Sequence, residues 1–157
     1  MRQLHQFAHE QQLEVSFAAA PLETMPDIYR QHDLLLFPSE WEEPFALTPL
    51  EAMAIGLPVI GTTTGGSAEL FRHGSNGLTY RAGDSDALAD CILTFGRDEV
   101  LRRRCATVGC AEARQRYAAP VIVQAIEDYL QETVSHWSSF LPPESCAASP
   151  QTTLCAC

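Results

Sequence analysis

Two short apolar runs constrain this chain more than anything else in it. Asp33-Leu34-Leu35-Leu36-Phe37 is stopped by Pro38-Ser39, and Pro58-Val59-Ile60-Gly61 follows a helical segment closed by Gly56-Leu57-Pro58. Continuous apolar runs of this length suit parallel strands buried on both faces. Parallel neighbours need a crossover, and Thr48-Pro49-Leu50-Glu51 opens a helix between them. The turn cluster His73-Gly74-Ser75-Asn76-Gly77 precedes a third short strand, Leu78-Thr79-Tyr80. Glu14 to Phe17 alternates polar and apolar residues and predicts a further strand.

Helical patterns fill the rest. A short amphipathic helix is expected over residues 2–12, a second over 25–31 capped by Thr24, and a short one over 67–71. Leu88, Cys91, Ile92 and Phe95 follow i, i+3, i+4, i+7 behind the N-cap Asp84. A helix from about Asp98 to Tyr117 carries Leu101, Cys105 and Val108, and one after Pro120 has Ile122, Ala125, Ile126, Tyr129 and Leu130 as its buried face. Strands alternating with helices predict an α/β fold, a Rossmann-like parallel sheet with helices on both faces. The expected domain covers residues 1–137, followed by a disordered Ser/Pro/Cys tail over 138–157.

Composition narrows the function classes. The formal net charge is -10 over 157 residues, which argues against nucleic acid as a partner, since phosphate backbones are bound by clustered Lys and Arg. A small phosphorylated ligand is still allowed, because backbone amides and a helix end can hold it. No apolar run is long enough to span a bilayer, and the polar N-terminus lacks the apolar centre of a signal peptide. The expected location is the cytoplasm, with peripheral membrane contact left open. Cys91, Cys105 and Cys110 fall in helical patterns and read as small buried hydrophobes. Cys146, Cys155 and Cys157 lie in the tail without a zinc spacing. His5 and His9 sit one helical turn apart but have no third ligand, so no metal is expected.

In an open parallel sheet, ligands bind outside the carboxyl ends of the strands. Ser39–Ala46 and Thr62–Gly66 both leave such ends. Thr48 as N-cap, Pro49 at the first helical position and Glu51 at the third would make a capping box, in which Glu51 caps its own helix. Alternatively, the backbone amides of the Pro44-Phe45-Ala46-Leu47 stretch, other than that of Pro44, which has no N–H, and the helix start face a pyrophosphate, and Glu51 accepts hydrogen bonds from a ribose. Glu40, Glu42 and Glu43 around Trp41 are either a solvated acidic loop or a holder of sugar hydroxyls. Gly65-Gly66 is either a tight turn or a place where backbone approaches a ligand closely.

Glu43 to Glu51 fits an E-x7-E pattern. With Asp33–Ser39, Leu50-Glu51-Ala52-Met53-Ala54, Gly56–Ile60, Gly65-Gly66 followed by Glu69, Asn76-Gly77-Leu78 and Gly83-Asp84 through Ala89, in that order, it resembles the C-terminal domain of the group-1 retaining glycosyltransferases of GT-B fold. The resemblance covers roughly residues 13–135, about as much as one of the two Rossmann-like domains of a GT-B enzyme, entered midway. It implies transfer of a sugar from a nucleotide-diphosphate donor with retention, without a cofactor or catalytic metal. It implies that Glu43 is the catalytic residue and binds the donor sugar's hydroxyls. Phe45, Ala46 and Leu47 would offer amides to the distal phosphate with Thr48 beside them, Glu51 would bind the ribose, and Gly65 and Gly66 would lie near the phosphates and sugar. Ala19, Ala20 and Pro21 would lie near the nucleobase.

Two departures stand out. Pro44 and Ala46 replace residues that are usually glycine in the family. No equivalent is found for the basic Arg and Lys pair used on the diphosphate; Arg81, Arg97 and Arg102 to Arg104 are misplaced for it. The expectation is therefore the donor-binding half of a glycosyltransferase, inactive alone, either a fragment truncated at its N-terminus or the partner of a separate N-terminal GT-B domain. A non-catalytic nucleotide-sugar-binding module and a degenerate remnant are the alternatives.

Overall fold

A computed structural model of the chain describes residues 2–137; the tail expected over 138–157, with its three cysteines, lies outside them. The helices are α1 (Arg2–Glu10), α2 (Met25–Arg30), α3 (Leu47–Ile55), α4 (Ser85–Arg97), α5 (Glu99–Arg116) and α6 (Ala119–Trp137); the strands are β1 (Leu35–Phe37), β2 (Val59–Thr62) and β3 (Leu78–Tyr80). The sheet order is β1-β2-β3, all parallel, with Leu36 opposite Ile60 and Ile60 opposite Leu78. This is the Rossmann-like arrangement expected.

Strand alternation sorts the two faces. Ile60 and Leu78 turn to the side where Phe95 of α4 and Cys105 of α5 close a buried cluster, joined by Leu88, Cys91 and Leu101. Gly61 turns the opposite way, where a Cβ would stand 2.7 Å from the Phe71 ring. Central β2 is buried throughout. The edge strand is not: Leu36 is 41% exposed, so the expectation of burial on both faces fails for β1. An apolar run reports what a strand is suited to, not whether a neighbour covers it. The same reason corrects the strand expected over 14–17. That segment has no regular structure and no ladder partner among the described residues, and Val15 is exposed.

Local signals set the helix ends. Asp84 accepts a hydrogen bond from the Ala87 amide at 2.9 Å, the expected N-cap of α4. Gly56 ends α3 at φ 90°, where its amide and that of Leu57 satisfy the carbonyls of Met53 and Ala52. Thr24 precedes α2 but makes no side-chain cap bond; its hydroxyl donates to the Pro21 carbonyl instead.

The chain divides into two compact units after Arg114. In the second, α6 forms as expected, but its apolar residues do not make a buried face. Ile122, Ile126, Tyr129 and Leu130 are all exposed. The stripe was legible; the described residues of that unit supply nothing to cover it.

Candidate functional site

The loops leaving β1 and β2 meet at the carboxyl end of the sheet. Thr62 and Thr64 both donate their hydroxyls to the Ser39 carbonyl, at 2.5 and 3.2 Å. The Gly66 amide donates to the Glu43 carbonyl at 2.7 Å. Ser67 donates its hydroxyl to the Thr64 carbonyl, which tightens the short 3-10 helix over Gly65–Glu69. The loop before α3 is thus tied down along its length by the segment that follows β2.

The glycine pair makes that tie sterically feasible. A Cβ on Gly66 would lie 2.0 Å from the Pro44 carbonyl oxygen, and one on Gly65 2.5 Å from that of Glu43. Gly65 also sits at φ 56°, a left-handed conformation that favours glycine. The close approach these glycines permit here is to the Glu43–Pro44 backbone.

The capping box does not form. α3 starts at Leu47 with Ala46 as N-cap and no side-chain cap bond. Thr48 and Pro49 fall at the second and third helical positions, and Glu51 at the fifth, too deep to reach back to the cap. Pro49 costs no bond, because the first amides of a helix lack an internal acceptor in any case. The amides of Leu47 and Thr48 therefore stand at the open end of the helix, with its partial positive charge.

The two glutamates have separate supports. Half-buried Glu43 accepts the Ser39 hydroxyl at 3.3 Å on Oε1. Half-buried Glu51 accepts the hydroxyl of Tyr29, on α2, at 3.0 Å on Oε2. Burial first, then the hydrogen bond and charge of Glu51, push the Tyr29 hydroxyl up to about 12. Nothing in the sequence pattern singled out Tyr29. The only available signal was an aromatic ring with a polar tip on a short helix just ahead of an apolar strand run.

The other expected residues are placed plainly. Phe45 is half-buried and Ala46 buried, while Leu47 and Thr48 are exposed. Trp41 is 74% exposed, with Glu40 and Glu42 beside it. Ala19, Ala20 and Pro21 are exposed in the irregular segment before α2. The arginine run is engaged elsewhere: Arg102 donates to the Phe95 carbonyl, Arg103 pairs with Glu99, and Arg104 donates to the Gly74 carbonyl.

Other chemistries find no support among the described residues. No group of three or more His, Cys, Asp or Glu is placed to hold a metal. His5 packs against Phe17 in a tilted arrangement, with ring centroids 4.2 Å apart. Burial pushes the Cys91 and Cys105 thiols up, away from thiolate reactivity. No helix is long and apolar enough to cross a membrane.

Residues 3–109 match the family model described as glycosyl transferases group 1. The chain belongs to that family. It is 38% identical over 104 residues to a lipopolysaccharide core biosynthesis mannosyltransferase of Rhizobium meliloti, covering 65% of this chain and 29% of that one. It is 33% identical over 105 residues to the N-acetyl-alpha-D-glucosaminyl L-malate synthase of Bacillus anthracis, covering 67% and 27%. Among solved structures, Anabaena HepE in complex with UDP superposes with a TM-score of 0.79 at 33% identity, over 83% of this chain and 36% of that one. The same protein with UDP-glucose gives 0.73 at 32% identity, with the same coverage. This group-1 glycosyltransferase chain thus spans about a third or less of the length of these relatives.

Proposed function

We propose that the chain is the donor-binding half of a retaining glycosyltransferase. The observation that carries this reading is the site itself. Glu43, on a loop tied to the β2 turn, and Glu51, in the second turn of α3, stand on either side of that helix's open N-terminus, in a chain one-third identical to a protein solved with UDP-glucose.

The pyrophosphate of a nucleoside-diphosphate sugar sits over the first turn of α3, Glu51 takes the ribose diol, and Glu43 takes hydroxyls of the donor sugar. Gly65 and Gly66 act by holding the loop at the right depth. Transfer breaks the bond between the anomeric carbon and the β-phosphate oxygen and forms a bond from that carbon to an acceptor hydroxyl oxygen on the same face, whose proton passes to the departing diphosphate. Negative charge grows on the departing diphosphate. Helix amides aimed at that charge stabilise it without reorganising during the step. Among the described residues, Arg102, Arg103 and Arg104 are engaged elsewhere. The acceptor site and the basic diphosphate clamp belong to the other half of the GT-B fold.

Calorimetric titration of the 157-residue chain with UDP-, GDP- and ADP-sugars tests this. Binding of at least one nucleotide sugar and its diphosphate is expected, with the bare nucleoside much weaker and no sugar transferred to added acceptors. Absence of binding across the panel would make the chain a remnant. Turnover by the pure chain would contradict its role as only one half.

A further inference from the structure

The long side chain of Glu51 has many rotamers, yet the role given to it above demands one. Its surroundings supply little to fix it. A cavity of about 230 Å³ beside it is lined by Leu22, Met25, Pro26, Ile55, Tyr29 and Glu51. Tyr29 and Glu51 are its only polar lining residues, and they bond to each other. Tyr29 is 5% exposed and held by the packing of α2 against α3, so its ring is a rigid post.

We propose that Tyr29 is a positioning residue, which fixes the Glu51 carboxylate for the ribose diol without itself touching the donor. The proposal rests on the ribose-binding reading of Glu51. A phenol donates one hydrogen bond, and a carboxylate oxygen accepts two. Tyr29 therefore occupies part of Oε2 and leaves Oε1 and the remaining lone pair for a diol. A phenol is protonated, and so a donor, throughout the neutral range, and burial with the neighbouring Glu51 pushes its titration point further up. Preorganisation of this kind raises affinity by removing an ordering cost at binding.

The test compares UDP with 2′,3′-dideoxy-UDP in the wild type, Tyr29→Phe and Glu51→Gln. Tyr29→Phe keeps the ring and removes only the hydroxyl. UDP affinity is expected to fall about three- to tenfold, with dideoxy-UDP affinity unchanged, so that discrimination between the two shrinks. A purely structural tie between α2 and α3 would weaken both ligands alike, and that result overturns the proposal. The two layers fail separately. If Glu51→Gln leaves discrimination intact, the ribose reading falls and takes this one with it. If Glu51→Gln abolishes discrimination and Tyr29→Phe does not, only the positioning role falls.

Should Tyr29→Phe not fold, the wild type still decides. The Tyr29 Cζ resonance in ¹³C NMR should move on adding UDP and stay still on adding inorganic pyrophosphate, which has no ribose. Equal responses to both would overturn the proposal.

Discussion

Gly66→Ala should destabilise the chain by about 1–3 kcal/mol, the usual cost of forcing an atom into packed structure. The new methyl would lie 2.0 Å from the Pro44 carbonyl oxygen, 2.7 Å from the Pro44 carbonyl carbon and 3.2 Å from the Glu43 carbonyl oxygen. All three are backbone atoms, so no side-chain rotation relieves the clash. The Gly66 amide bond to the Glu43 carbonyl would stretch or break, and the loop carrying Glu43 would shift off the start of α3. Loss of measurable nucleotide-sugar binding should accompany the lower melting point. Gly96→Ala is the matched control: the same methyl on α4 meets nothing within 4 Å. It should leave binding unchanged and stability equal or slightly higher, since alanine favours helix. Equal melting points and equal binding for the two variants would show that the tie between the loops is dispensable.

Glu51→Ala carries the second large effect. Hydrogen bonds to charged groups contribute about 1.5–3 kcal/mol, so UDP affinity should fall roughly ten- to more than a hundredfold. UDP-glucose should lose the same factor, because the ribose is common to both ligands. Glu43→Ala should differ in kind, weakening UDP-glucose while leaving UDP nearly unchanged. Titration of the two ligands into the two variants gives four affinities. A loss confined to UDP-glucose in Glu51→Ala, or shared by UDP in Glu43→Ala, would mean that the two glutamates have been assigned to the wrong ends of the donor.

Much of the sheet was legible because its signals are local. Gly56 after a helical stretch, Asp84 before one and the apolar run at Val59 need no knowledge of distant residues. The failures all depend on partners. Glu14–Phe17 alternates like a strand but has no ladder partner among the described residues. Leu36 is apolar on an edge strand left uncovered, and the stripe of α6 is exposed for the same kind of reason. Thr48-Pro49-Leu50-Glu51 has the letters of a capping box, yet α3 begins at Leu47. The Thr64–Gly66 segment anchors the loop before α3 and so shapes the helix entry, a contact across more than twenty residues that spacing rules do not see. Tyr29 was invisible for the same reason, since its partner lies 22 residues away.

If the open first turn of α3 is the pyrophosphate cradle, its amides must respond to a bound diphosphate. Backbone ¹H–¹⁵N NMR of the wild-type chain during a UDP titration tests it most directly. The largest amide shifts are expected at Ala46, Leu47 and Thr48, with Cys105 and Ala113 in the core unmoved. Unmoved amides at the start of α3, with the largest shifts instead around Arg102 to Arg104, would contradict it.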